Sequence, residues 1–323
     1  MACYKPVTAW RHPEGGALSF SERKEYREIT IKCGQCIGCR LEKREAWTLR
    51  CIAESKMHAE NSFITLTYDE AHYPQYGSLN YEHFQLFLKR LRRKVVRYEK
   101  RLVEVKPGIY KEKSVPVNPI RYFMCGEYGE NLERPHYHAL LFGFGFPDRV
   151  RCNSIRSAHP IFRSPLLEEL WDKGFSSIGE LNEATARYCC AYAVKKVTGD
   201  LADDHYSRVD ISTGQIVSVE PEFVCMSLKP GIGETWLKRF WTDLYNVHDA
   251  MVVNGKKHKI PKYFDRQMDK IKPMLMDSIE FERTKRAEVH LENNTRERLE
   301  VREQVEAARL AFNNERRNKF SEI

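Results

Sequence analysis

The 323-residue, 38.0 kDa chain is long enough for one large domain or two with extensions, and 42% hydrophobic against 30% charged residues supply a core and a wet exterior, which excludes wholesale disorder. Fifty-three Lys and Arg against 45 Asp and Glu leave a net charge of +8, and the excess is concentrated between Lys89 and Lys113, where eleven basic residues face three acids, a pattern suited to a polyanionic partner. No apolar run approaches the ~20 residues of a membrane helix, the opening residues lack a secretory apolar stretch, and ten cysteines in so long a chain point to thiols or metal ligands, so a soluble intracellular protein is expected.

Residues 1–59 form a basic, cysteine-bearing segment, ending in a helix expected over Leu41–Ala59, where neither Gly nor Pro interrupts the chain. Ser62–Tyr68 is rich in β-branched and aromatic residues and closed by an acidic, proline-bearing loop, which predicts a strand. Asn80 is the expected N-cap of a helix whose apolar face is Phe84, Phe87, Leu88, Leu91 and Val95, with the basic cluster on the other face. Arg121–Glu127 and His136–Phe142 read as two antiparallel strands joined by a turn containing Gly, Glu and Asn. A short helix around Leu166–Trp171, a strand at Phe175–Glu180 and a helix from Glu183 to Val197, capped by Asn182 and ended by Gly199, follow. Residues 201–264 carry no clear pattern. The charged, nearly Gly-free stretch from Asp265 onward, with Val301, Val305, Ala308 and Phe312 spaced 4-3-4, predicts a helical, coiled tail.

Three constellations carry chemistry. In His136-Tyr137-His138, alternate positions of a strand share a face, so both imidazoles can hold one metal ion. Glu127, at the end of the preceding strand, is the natural third ligand, with Glu130 in reserve. Tyr188, Tyr192 and Lys195 fall within about 60° of one another on the predicted helix, opposite a small apolar stripe of Ala186, Cys190, Ala193 and Val197. A free phenol is only about 0.1% ionised at pH 7, a deficit of roughly 4 kcal/mol, so a nucleophilic tyrosine needs positive charge beside it, which gives the lysine a purpose. Cys33, Cys36 and Cys39 put three thiols in one short segment, suited to a tetrahedral structural Zn²⁺ with Cys3 as the preferred fourth ligand, then His12 and Cys51.

Phe63–Tyr68 (FITLTY), Arg134–Gly143 (RPHYHALLFG) and Tyr188–Lys196 (YCCAYAVKK) resemble, in order, the three motifs of HUH endonucleases that initiate rolling-circle replication. Two tyrosines four apart, with a lysine three after the second, are similar to the two-tyrosine class of microvirus initiators. The segments CGQCIGCRLEKREAW, SFITLTYDEAHYP, MCGEYGE and GFSSIGE resemble the gokushovirus branch, so the likeness runs from about Cys33 to Asp265. A lysine often precedes the second tyrosine in such motifs, and here that position is Ala191.

The resemblance implies an α+β fold, a central antiparallel sheet flanked by helices, with the tyrosine helix across the metal site. It implies a divalent ion, Mg²⁺ or Mn²⁺, on His136, His138 and Glu127, with nucleophiles Tyr188 and Tyr192 and the motif lysine at Lys195. The function it implies is phage replication initiation in the cytoplasm of a bacterial host: nicking and joining of single-stranded DNA at the origin through a 5′-phosphotyrosine, with host replication proteins as partners and no membrane. The expected organisation is a cysteine-rich segment (1–59), an endonuclease domain (60–200), an extension (201–264) and a charged helical tail (265–323). Arg90, Arg93, Lys94 and Arg97 are the expected nucleic-acid contacts, directed at the backbone. Two other readings share some of these features: a plasmid or transposon HUH enzyme, and a non-catalytic zinc-containing nucleic-acid-binding protein with idle histidines.

Overall fold

A computed structural model describes residues 3–129, 133–152, 160–194, 196–197, 199, 202–210 and 212–321, with side chains described through residue 313. From the N terminus, hairpin β1 (Val7–Arg11) and β2 (Arg27–Ile31) leads to helix α1 (Ile37–Ser55), strand β3 (Asn61–Tyr68), helix α2 (Tyr81–Val95), hairpin β4 (Tyr98–Lys106) and β5 (Ile109–Pro116), and strands β6 (Arg121–Tyr128) and β7 (Pro135–Phe142). Short strands β8 (Val150–Cys152) and β9 (Ile161–Arg163), helix α3 (Pro165–Leu170), strand β10 (Gly174–Gly179) and helix α4 (Glu183–Ala191) follow. Next come α5 (Ala202–His205), hairpin β11 (Ser207–Val209) and β12 (Ile216–Ser218), strand β13 (Phe223–Met226) and helix α6 (Glu234–Thr242). Hairpin β14 (Met251–Val253) and β15 (Lys256–His258) and helices α7 (Lys262–Ile271), α8 (Pro273–Glu288) and α9 (Arg296–Ser321) come last. The chain divides into two units, residues 47–243 and residues 1–46 with 244–323. Among the described residues no helix is long and apolar enough to cross a membrane.

The larger unit is built on a seven-stranded sheet in the order β13-β6-β7-β3-β10-β9-β8, every pair antiparallel, as the expected α+β class requires. Strict alternation sorts β3: Ile64, Leu66 and Tyr68 are buried, while the residues between them are half-buried on the other face. Ile64 and Leu66 lie opposite Ala139 and Tyr137 of β7, so these four side chains share one face. Helix α2 covers that face. The Asn80 side chain accepts from the Glu82 N–H, and the predicted stripe Phe84, Phe87, Leu88 and Leu91 is buried in the same core, each side chain contributing about 1.5–3 kcal/mol. Buried polar atoms here are satisfied: Trp171 Nε1 donates to Thr67 O at 3.0 Å, and the Tyr68 and Tyr137 hydroxyls lie 2.8 Å apart, the latter donating to Asn80 O. Gly174 opens β10 at φ 138°, where an added Cβ would lie 2.2 Å from the Asp69 nitrogen, so only glycine fits.

Two helices differ from expectation. The helix of residues 183–197 is α-helical only to Ala191 and continues as a 3₁₀ turn over Tyr192–Val194, which changes the angular step beyond Ala191. The expected single tail is three helices in the smaller unit, because Pro273 cannot continue α7 and a 3₁₀ turn at Leu291–Asn294 separates α8 from α9. Val301, Val305 and Phe312 are exposed on α9.

In the smaller unit Arg283 on α8 donates to Asp249 at 2.6 Å and to Asp265 at 3.1 Å, and Arg286 adds a second bond to Asp249. Burial opposes ionisation, but the two guanidinium groups hold Asp249 below the ordinary aspartate range. A lowered folded pKa gives stability that is full above the unfolded value of ~3.9 and is lost as the pH falls through the folded value. Asp249→Asn is expected to cost about 1–3 kcal/mol at pH 7 and to flatten the acid limb of denaturant-measured stability, and an unaltered acid limb would rule this role out.

Candidate active site

The face of the sheet opposite α2 carries the histidines. Register puts Glu127 directly across from His136, and Thr65 directly across from His138, so all four side chains stand on one face. One oxygen of Glu127 lies 2.8 Å from Nε2 of His136 and 2.8 Å from Nε2 of His138. Glu127 and His138 are buried. Burial opposes ionisation of Glu127, but the two imidazoles, bonded to its carboxylate, hold it below the usual range.

The outer ring nitrogens orient the donors. His136 Nδ1 lies 2.9 Å from Arg134 O, which can only accept, so Nδ1 carries a proton and Nε2 is the atom turned to Glu127. His138 Nδ1 meets the Thr65 hydroxyl at 2.9 Å, which leaves its Nε2 to the same point. The three ligand atoms lie within 4.8 Å of one another. Ligands about 2.1–2.2 Å from one hard divalent ion at right angles stand about 3 Å apart, close to the separations from Glu127, so the donor set fits such an ion.

Helix α4 lies over this face. Asn182 caps it reciprocally with Thr185, and Cys189 packs its sulfur 3.7 Å from Cys125 Sγ and 3.6 Å from His138 O. The Tyr188 hydroxyl is 3.4 Å from His138 Nε2, and the Tyr192 ring stacks on the His138 ring at 5.8 Å. The two phenol rings meet edge to face at 5.2 Å. The tyrosines are not equivalent. Tyr188 is 36% exposed and Tyr192 only 6%, because the 3₁₀ turn carries the second ring inward. Burial, and after it the charge of Glu127, pushes the Tyr192 phenol well above its ordinary range. The expectation that both phenols lie on an outward face opposite the apolar stripe therefore needs correction, since Tyr192 is buried along with Ala186, Cys189 and Cys190. Lys195 and Glu130 lie outside the described residues.

Sequence reasoning missed Thr65, Phe63 and the Arg134 carbonyl. Phe63 stacks on His138 at 5.7 Å and meets Tyr188 edge-on at 6.3 Å. Thr65 and Phe63 sit in FITLTY on the correct alternate positions, but only the cross-strand register brings them to His138. The expected nucleic-acid contacts stand elsewhere. Helix α2, which carries Arg90, Arg93 and Lys94, packs on the face opposite the histidines, and Arg97 follows its end. Arg90 is bidentate to Asp172 (2.5 and 2.9 Å) and Lys94 pairs with Glu169, while Arg93 and Arg97 are exposed.

In the smaller unit Cys3 joins Cys33, Cys36 and Cys39, with Cys3–Cys33 at 3.6 Å, Cys33–Cys39 at 4.0 Å and Cys3–Cys36 at 4.0 Å between sulfurs. Four thiolates about 2.3 Å from one zinc in a tetrahedron stand about 3.8 Å apart, so the donor set fits. Burial opposes ionisation, but the backbone N–H groups of Tyr4 and Cys39 and the neighbouring thiols bring Cys36 down to about 6, whereas burial pushes Cys3 and Cys39 up. The other fourth-ligand candidates stand apart from this cluster: Cys51 lies 3.9 Å from Cys190, and His12 packs on Tyr26.

Residues 61–197 match the family model of the ORF2-type replication-associated protein, a span that holds Glu127, His136, His138, Tyr188 and Tyr192. The chain is 29% identical over 266 residues to the replication-associated protein VP4 of Bdellovibrio phage phiMH2K, covering 82% of this chain and 76% of the relative. It is 28% identical over 290 residues to the replication-associated protein ORF2 of Spiroplasma virus 4, covering 84% of this chain and 81% of the relative. This chain is a relative of phage replication-associated proteins. A third relative, the replication-associated protein ORF4 of Chlamydia phage 1, is 25% identical over 267 residues, or 78% of this chain and 56% of that one. No solved structure matches the chain. The resemblance read from FITLTY, RPHYHALLFG and YCCAYAVKK leads to the same group of proteins, and the cysteine cluster lies outside the matched span of the family model.

Proposed function

We propose that this chain initiates rolling-circle replication of a small phage by nicking and rejoining single-stranded DNA through tyrosine. The observation that carries this reading is the Tyr188 hydroxyl 3.4 Å from His138 Nε2, at the edge of the Glu127, His136 and His138 donor set. A structural or purely binding role has no use for a half-exposed phenol beside three converging ligand atoms. A divalent ion, Mg²⁺ or Mn²⁺, held by those three residues would supply positive charge beside the scissile phosphate. Thr65 and the Arg134 carbonyl fix the imidazoles, so the donors need no reorganisation when the strand arrives. Tyr188 attacks phosphorus, losing its proton, and the bond to the 3′ oxygen breaks, leaving a 5′-phosphotyrosine and a 3′-OH that can prime synthesis. Tyr192 lies one helical step behind and serves the second transfer, with Lys195 as the nearby cation. Cys3, Cys33, Cys36 and Cys39 hold a structural Zn²⁺ in the smaller unit.

The test is a labelled single-stranded origin fragment incubated with the protein, with and without EDTA, and run on a denaturing gel. A covalent protein–DNA band that vanishes with EDTA, and with His136→Ala, is expected. A band that persists in both would remove the metal from the mechanism, and no band in any divalent ion would leave the non-catalytic binding protein as the reading.

A further inference from the structure

The basic run of the sequence continues beyond α2 into hairpin β4–β5, which the active-site chemistry does not use. The hairpin inserts between α2 and β6, and its base is clamped by Asn118, which accepts from the Arg97 N–H at 2.8 Å and donates to Val95 O at 3.3 Å. Beyond that clamp almost every residue is exposed, and the nine residues of β4 span about 30 Å.

Register sorts its side chains into two unlike faces. Arg101 stands directly opposite Lys113 and Val103 directly opposite Lys111, so Arg101, Lys111 and Lys113 share one face with Glu99. Tyr98, Lys100, Leu102, Glu104, Tyr110 and Glu112 share the other. The first face carries three cations and one carboxylate, which bonds Arg101 at 3.0 Å, and among the described residues Lys111 and Lys113 make no ion pair. On the second face the single cation, Lys100, is already paired with Glu112 at 3.2 Å.

Like charges directly across a ladder destabilise it, and a two-stranded hairpin is marginal even without them. Lysines that merely protect an exposed strand edge would not need an arginine set against them in register. We infer that the Arg101, Lys111 and Lys113 face of this hairpin docks on duplex DNA beside the nicking site, an inference that rests on the nuclease reading for its role in replication. A two-stranded ribbon fits the roughly 12 Å major groove, and phosphates on either side would neutralise the opposed cations. Single strands are the poorer fit, because their binding surfaces stack bases on aromatic rings, and both tyrosines of the hairpin lie on the other face.

The experiment uses the full chain, a fluorescent 30-base-pair duplex without an origin sequence, and a single strand of the same length, each titrated over a range of NaCl concentrations. The triple variant Arg101→Gln, Lys111→Gln and Lys113→Gln is expected to bind duplex about tenfold or more weakly, with the slope of log affinity against log salt shallower by about 2–3, and to keep its single-strand affinity and melting temperature. Leu102→Ser with Tyr110→Ser, on the other face, is expected to leave the duplex slope unchanged. An unaltered duplex slope in the triple variant overturns the inference, as does an equal loss on single strands. An effect of the Leu102 and Tyr110 pair alone would make the hairpin a protein-docking element and overturn it as well. Formation of the tyrosine adduct is scored separately, so a chain that grips duplex through the hairpin but makes no adduct refutes the nuclease reading and leaves this contact standing.

Discussion

Tyr188→Phe is expected to lower the rate of first-strand adduct formation by about 10³-fold or more, whereas Tyr192→Phe keeps most of it. Helical spacing alone makes the two phenols interchangeable, since four residues rotate a helix by only about 40°. Burial breaks the symmetry. Tyr188 is half-open to solvent with its hydroxyl beside His138 Nε2, while the Tyr192 phenol is buried, resists ionisation next to Glu127 and would have to be uncovered before a phosphate could reach it. Residual adduct in Tyr188→Phe, formed through Tyr192, should vanish in the double variant while DNA binding persists. The measurement is single-turnover adduct formation on a labelled strand, followed by transfer to a second strand, where Tyr192→Phe should show its defect. Loss of the first adduct in Tyr192→Phe alone would reverse the order, and an adduct in the double variant would put the nucleophile elsewhere.

Cys36→Ser is expected to remove one zinc per chain and to melt the smaller unit at a lower temperature, because structural zinc bound by thiolates contributes on the order of 10 kcal/mol of folding free energy. Cys36 is the informative position, since its thiol is brought down to about 6 and is ionised before the others. The Glu127, His136 and His138 donors belong to the other unit, so the variant should still form the adduct when Mn²⁺ is supplied. Elemental analysis of protein purified under reducing conditions without chelator reads the stoichiometry, and differential scanning calorimetry reads the melting. Wild-type protein without zinc, or a Cys36→Ser chain with zinc and melting unchanged, would refute the assignment.

Much of the candidate site is legible along the chain because its determinants are local. A period of two places His136 and His138 on one face wherever the strand lies, and a period of 3.6 with an Asn80 cap defines α2 and its buried stripe without knowledge of what covers it. Three closely spaced cysteines likewise imply a shared ligand, and Cys3 is their partner in space. Other features rest on contacts between distant residues, which no window of sequence contains. The pairing of β6 with β7 sets Glu127 against His136, and the pairing of β3 with β7 brings Thr65 to His138. The end of α4 at Ala191, which separates a reachable tyrosine from a buried one, comes with packing against the sheet that pattern alone did not reveal. The basic run reads as one surface in sequence. Folding divides it between a helix on the face opposite the histidines and a free-standing hairpin, because charge along a chain says how much of a polyanion it can hold, and only the tertiary register says on which face.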